Sequence, residues 1–183
     1  MPRIGSKLAQ EWEAKGIYDL RALPVEALTK PIYKMIQQAH KLNQPVINSR
    51  LVEQIKSYAW PRYFMDFETV QQGVPLMANT KPYDALPFQW SVHRWDNHNH
   101  QVTLEDGVGY LEFLNPKMDR EFLQSLIIAV GTEGPIFVHN ASFEKSRLNA
   151  LIERDSCKDL KPEINAIINR VVDTLDLVRE DGF

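Results

Sequence analysis

The chain has 183 residues, 44% of them hydrophobic, one cysteine and a formal net charge of −3, which suits one medium domain or a small domain with an appendage around a sizeable core. That composition excludes a disordered polypeptide, and Cys157 as the sole cysteine excludes intrachain disulfides and cysteine-based zinc or iron–sulfur sites. No apolar run approaches bilayer-spanning length and the N-terminus lacks the basic-then-apolar layout of a signal peptide, so no membrane partner and a cytoplasmic location are expected.

Charge divides the chain near residue 60. Residues 1–60 carry nine Lys/Arg against five Asp/Glu, a balance of +4, while residues 61–183 carry twelve against nineteen, a balance of −7. Most such imbalances serve solubility, although an acidic domain also suits a carboxylate metal site and a basic appendage suits phosphate contact.

Residues 1–60 read as a small helical segment. Leu8, Trp12 and Ile17 mark one apolar face ended by Gly16, and Pro31 with Ile32, Met35, Ile36 and Ala39 gives a second stripe at helical spacing. A third short helix is expected over Leu51–Tyr58, before Trp60-Pro61 breaks the pattern. His40 has no ligand partner at helical spacing and reads as surface or packing.

From residue 61 the period changes. Arg62–Val70 reads as a strand, and within it Asp66 and Glu68 stand two positions apart inside the apolar run Tyr63-Phe64-Met65-Asp66-Phe67-Glu68-Thr69. Alternate residues of a strand share a face, so the two carboxylates project together, roughly 6.5 Å apart along the backbone. Three other acidic pairs have this spacing, but they lie in polar or helical surroundings where solvated surface charge is the ordinary reading. Two carboxylates in an apolar frame repel and lose solvation, which a cation relieves.

Residues 71–87 read as a long loop, with Pro75, Pro82 and Pro87 blocking regular pairing. Phe88–Trp95 alternates as a second strand, with Phe88, Trp90 and Val92 on one face and Gln89, Ser91 and His93 on the other. Residues 96–100 form a polar turn, where His98 and His100 read as surface histidines, and residues 101–114, interrupted at Gly107 and Gly109, return as one or two strands. His93, next to the carboxylate strand, reads first as a hydrogen-bonding core-edge residue and second as an accessory site residue.

Helical periodicity resumes over Asp119–Val130, and Pro135-Ile136-Phe137-Val138 is a short apolar run typical of a strand buried on both sides. It leads into His139-Asn140-Ala141-Ser142-Phe143-Glu144 and a helix to Glu153 with Phe143, Leu148, Leu151 and Ile152 inward. Asn140 or Ser142 is expected to cap that helix, and Glu144 falls in its first turn. Open α/β sheets commonly place their chemistry at such a junction, although the helix dipole alone also favours a glutamate there. A further helix through Ile168 and the run Arg170-Val171-Val172 then lead to Asp173-Thr174-Leu175-Asp176-Leu177.

In order, Asp66-Phe67-Glu68-Thr69, His139-Asn140-Ala141-Ser142-Phe143-Glu144 and Asp173-Thr174-Leu175-Asp176-Leu177 resemble the three leading motifs of the DnaQ-like, or DEDD, 3′→5′ exonucleases of the ribonuclease H-like fold. Pro87-Phe88-Gln89 adds a likeness to a bacterial domain-of-unknown-function branch of that superfamily. The resemblance covers residues 62–183, and the helical leader also looks like what precedes the domain in that branch.

It implies an α/β, ribonuclease H-like mixed sheet, an antiparallel three-strand meander plus parallel strands, flanked by helices. It further implies two-metal hydrolysis of phosphodiesters with Mg²⁺ or Mn²⁺ held by Asp66, Glu68 and Glu144, Asp66 bridging the ions, and a single-stranded 3′ end of nucleic acid as partner. Thr69, Phe67 and Asn140 would meet or orient the substrate, with Asp173 and His93 as accessory residues. Two departures stand out. Glu144 occupies the place of an aspartate, and no fourth carboxylate motif follows Asp176, so the expectation is a domain incomplete at its C-terminus, whose catalytic competence in this chain is in question.

A catalytically inactive nucleic-acid-binding or regulatory module of the same fold is the alternative, and a purely structural partner domain a third. Trp90, Phe67 and Tyr83 are candidates for base stacking, although aromatic residues in strands are normally core.

Overall fold

In the computed structural model, residues 6–75, 77, 80–99, 101–113, 115 and 117–179 are described; His100, Leu114 and Asp181-Gly182-Phe183 lie outside them. The chain divides into two compact units, residues 1–56 with 177–183, and residues 57–176.

The first unit holds α1 (Ser6–Glu13), α2 (Pro31–Leu42) and most of α3 (Ser49–Ser57). Its core is Leu20, Leu23 and Leu28, against which Leu8, Trp12, Ile17, Tyr33 and Ile36 pack. Pro31 opens α2, where its missing N–H costs nothing, and Asn43 closes it in a left-handed conformation. Gln37 is buried on this helix because its amide donates to the Leu20 and Leu23 carbonyls at 2.8 and 2.7 Å, so a polar side chain fixes the preceding turns.

The second unit is an α/β structure with a five-stranded mixed sheet. Its strands are β1 (Arg62–Gln71), β2 (Ala85–Trp95), β3 (Gly107–Leu111), β4 (Ile136–Val138) and β5 (Val171–Asp173), in the spatial order β3-β2-β1-β4-β5. β1–β2 and β2–β3 are antiparallel, while β1–β4 and β4–β5 are parallel. Between these strands lie α4 (Met118–Val130), α5 (Ser142–Ile152) and α6 (Lys161–Arg170), and α7 (Thr174–Leu177) follows β5.

Alternation along β1 sends Tyr63, Met65 and Phe67 into one core with Trp90 and Val92 of β2, Ile136 and Val138 of β4, and the apolar stripes of the three helices. Phe122 is fully buried at its centre, edge-on to Phe67 at 5.2 Å and to Tyr110 at 5.8 Å. Trp90 lies in the same core, its indole N–H donating to Phe122 O and Ser125 Oγ at 3.2 Å, and its burial removes it from any surface stacking role. Cys157 is free and fully buried there.

Three expectations about the elements need correction. Pro87 does not end pairing. It lies within β2 opposite Thr69, where the register shifts between Glu68 and Thr69, and the bulge removes the regular ladder bond that proline cannot make. Gly107 and Gly109 are inside β3, and the His93 ring of the paired strand occupies the space beside Gly107, with Nε2 2.5 Å from where a Cβ would stand. Phe143 is 36% exposed and Glu144 takes the buried position on α5, since the helix turns its first-turn carboxylate toward the strand ends.

Entry into β4 is fixed by contacts from two directions. Gly134 has φ +79°, and a Cβ there would lie 1.8 Å from the Pro61 carbonyl oxygen. Arg170 at the end of α6 donates to the carbonyls of Gly134 at 2.7 Å and Val130 at 2.8 Å, tying the α4–β4 turn to the last helix of the core. No helix among the described residues is long and apolar enough to cross a membrane.

Candidate functional site

The chemistry-bearing residues gather where β1, β4 and β5 end their parallel run. Val138 and Asp173 stand abreast as the last paired residues of β4 and β5, so the turns that follow them lie side by side. After Val138 the backbone passes through Asn140 at φ +66°, a left-handed conformation that asparagine tolerates better than most residues. This reversal starts α5 directly and brings Glu144, in its first turn, back toward the sheet.

Neither Asn140 nor Ser142 caps α5. Residue Ala141 occupies the N-cap without a side-chain bond, Ser142 is already helical, and its hydroxyl donates to Asn140 Oδ1 at 3.0 Å. Asp173 satisfies the turn instead: one carboxylate oxygen accepts from Asn140 N at 3.0 Å and Leu175 N at 2.8 Å, the other from Ala141 N at 2.8 Å. Partial burial works to raise the Asp173 carboxyl, but amide donation by Ala141, Leu175, Asn140 and Asp176 outweighs it and holds the group below its ordinary value. Asp173 is thus a clamp between two strand-to-helix turns, with both oxygens engaged by backbone.

Beside the clamp, Thr174 Oγ1 donates to Val138 O at 3.0 Å and lies 3.2 Å from His139 Nδ1. His139 is exposed and lines a groove of about 520 Å³ with Asp66, Ser91, His93 and Thr174, floored by Phe64 and Phe137, whose rings stack at 5.4 Å. Strand pairing explains this membership. Asp66 faces Ser91 across β1–β2, and Phe64 faces both His93 on β2 and Phe137 on β4, so these side chains share a face opposite the core.

Asp66 and Glu68 are exposed on that same face, as strand alternation requires, with Glu68 one pleat farther from β4 and next to the bulge. Glu144 is only 3% exposed, and its Oε2 has no hydrogen-bond partner. Burial is the main cause that pushes the Glu144 carboxyl above its ordinary value; the charges of Asp66 and Asp173 push the same way, against its own backbone amide and His139. A buried carboxylate oxygen without a donor, lying in the field of two other carboxylates, is what a cation would satisfy.

The structure therefore brings Asp66, Glu144, Asp173 and the unassigned His139 to one end of the sheet, with His93 lining the same groove. It places others apart. Phe67 is turned into the core against Phe122, Thr69 is half-buried beyond the bulge opposite Pro87, and Tyr83 is exposed in the β1–β2 loop at φ +63°. Among the described residues, no three His, Cys, Asp or Glu side chains form a closed cation-binding group. The roles of His139, Thr174 and Ser91 were not drawn from the sequence. The signal for the first two is an Asp-Thr pair closing a β-branched run, which becomes meaningful only once β5 is known to lie beside β4.

Residues 63–182 match the family described as Domain of unknown function (DUF2779), so the chain belongs to that family. No curated protein and no solved structure matches it.

Proposed function

From the motif resemblance and the arrangement at the strand ends, we propose that this chain carries the carboxylate site of a metal-dependent nuclease of ribonuclease H-like fold, acting from the 3′ end of single-stranded nucleic acid. The observation that carries this reading is Glu144: a buried carboxylate with an orphaned oxygen, delivered by α5 into the field of Asp66 on β1. The strand order β3-β2-β1-β4-β5, three strands antiparallel and two parallel, supports the fold half of the proposal.

Asp66, Glu68 and Glu144 supply hard oxygen donors suited to Mg²⁺ or Mn²⁺, two ions in the complete site. Bound there, such ions would lower the pKa of an attacking water and offset charge on the leaving 3′-oxygen. The protein's own part is positional. Asp66 and Glu68 project from a strand whose opposite side is locked in the core. Asp173 fixes the turn from which Glu144 departs, and Asn140 holds the left-handed bend that aims it. The phosphate of a bound strand would lie along the groove above Phe64 and Phe137, and a cytoplasmic location accompanies this reading.

The test is degradation of a 3′-labelled single-stranded oligonucleotide with Mn²⁺ present. The expected outcome is stepwise shortening that is lost in Asp66→Ala, by about 10³-fold or more, while the variant keeps its circular dichroism spectrum. A second reading, a binding module without chemistry, is favoured by the exposure of Asp66 and Glu68 and by Glu144 standing where the resembled motif has aspartate. Metal-independent oligonucleotide binding with no cleavage would select it.

A further inference from the structure

We propose that an aromatic cleft beside the Asp66 groove, walled by Phe64 and Trp95, stacks an unpaired base of a nucleic-acid strand; this rests on the nucleic-acid partner of the reading above and adds where that strand is held. Pairing of β1 with β2 puts Asp66 opposite Ser91, Phe64 opposite His93 and Arg62 opposite Trp95, so these side chains share the face turned away from the core. From Asp66 back to the start of β1, that face passes from a carboxylate through aromatic rings to a guanidinium, over roughly 13 Å. Phe64 and Trp95 stand out of phase with Phe67 and Trp90, so strand alternation gives one aromatic set to the core and leaves the other beside the groove.

Phe64 and His93 line both the Asp66 groove and a cleft of about 700 Å³, which Trp95, His98, Asn99 and Gln101 also line. That is the size of small-ligand sites, roughly 300–1,000 Å³. Its rings are held by one another. Phe64 stacks on Phe137 at 5.4 Å and tilts toward Trp95 at 6.3 Å, and Trp95 meets Trp60 edge-on at 5.0 Å. Phe64 still has 38% of its surface exposed. An ordered aromatic surface that remains in contact with water loses little freedom when a flat ring stacks on it. The exposed amides of Asn99 and Gln101 offer donors and acceptors, as base edges do.

The same face carries a cation without an acid. Arg62 is 5% exposed, with its guanidinium 3.9 Å from the Trp60 ring and 5.9 Å from the Trp95 ring. Its Nη2 donates to Tyr58 O at 2.8 Å, and its Nε is buried without a partner. Burial pushes its pKa down, and among the described residues no carboxylate acts against that shift. A buried positive charge next to Trp95 favours an aromatic guest that also carries negative charge, which describes a nucleotide. An apolar peptide would match the rings and not the charge.

The test is titration of the full chain with short single-stranded oligonucleotides bearing the fluorescent base aminopurine at successive positions, with Ca²⁺ in place of Mn²⁺ to occupy the carboxylates. Emission should fall on binding at a defined position, and an abasic site there should weaken binding by about tenfold. Trp95→Leu should lose the quenching and weaken binding of the intact oligonucleotide by a similar factor, yet bind the abasic one as the unmodified chain does. Equal weakening of both oligonucleotides would make Trp95 merely structural and overturn the proposal. The abasic series needs no variant, so it decides even if Trp95→Leu fails to fold: an effect below about twofold at every position overturns the proposal. Mn²⁺-dependent cleavage together with base-insensitive binding would sink the cleft and leave the nuclease reading standing. Base-dependent binding without any cleavage would do the reverse, and no oligonucleotide binding at all would sink both. Self-association that Trp95→Leu abolishes, with no base dependence, would make the face a contact between copies and overturn the proposal.

Discussion

The two faces of β1 are built on opposite terms. Tyr63, Met65 and Phe67 disappear into a core of strand and helix side chains in which the neighbours are mainly apolar and the contacts many. Phe64, Asp66 and Glu68, one residue out of phase, lie on the other face, where Phe64 and Asp66 line a groove with the polar side chains of Ser91, His93, His139 and Thr174. The first face sets how stable the sheet is, and at the strand ends α5 spends some of that stability on the buried carboxylate of Glu144, whose Oε2 has no donor. A residue's effect on substitution should therefore depend on which face it serves.

The largest effect should come from the core face. Phe122→Ala empties the centre of the cluster, between Phe67 and Tyr110, and should cost about 3–5 kcal/mol in urea denaturation. If the loss were under about 1 kcal/mol, the helices would not be packed on the sheet as described.

Asp173→Ala probes the join between the faces. Freeing three backbone amides from a charged acceptor should cost about 2–3 kcal/mol at neutral pH. Because the folded-state pKa of Asp173 is held below its ordinary 3.8, its contribution is complete above that value and fades as pH falls through the lower folded one. The gap between variant and unmodified chain should accordingly close in acid, and a pH-independent gap would mean that the clamp works by packing alone.

The smallest effect, of opposite sign, belongs to the strand ends. Glu144 has a raised pKa, so in the folded state it holds its proton at pH values where the unfolded chain has released it, and stability falls as pH rises from about its ordinary 4.5 through the folded value. Glu144→Gln removes that penalty and should raise Tm at neutral pH without divalent cations, with no gain well below 4.5. Adding Mn²⁺ should reverse the order, since only the unmodified chain gains from binding. A lower Tm for Glu144→Gln under all conditions would make the glutamate a structural residue.

What was legible in the sequence is what short-range periodicity encodes. The strand at 62–70, the helix ending at Val130, the apolar strand before His139 and the pairing of Asp66 with Glu68 on one face all follow from spacing and all appear in the structure. The errors lie where a distant partner overrides the local signal. Pro87 enters β2 because the ladder is bulged at Phe88 beside it, and Gly107 pairs within β3 with the His93 ring lying over it. The clamp is the extreme case. Asp173 and Ala141 are 32 positions apart, and nothing local distinguishes a carboxylate that holds backbone amides from one that would hold a metal.

Cys157 gives the core face a practical use. Its thiol is fully enclosed, and burial, only partly countered by a bond with Ser156, raises its pKa, so an alkylating reagent meets neither access nor thiolate in the folded chain. Labelling must wait for the core to open. As the sole thiol among 183 residues, it makes the chain its own unfolding clock: one adduct per molecule, counted by mass, at a rate set by how often the sheet and its helices part.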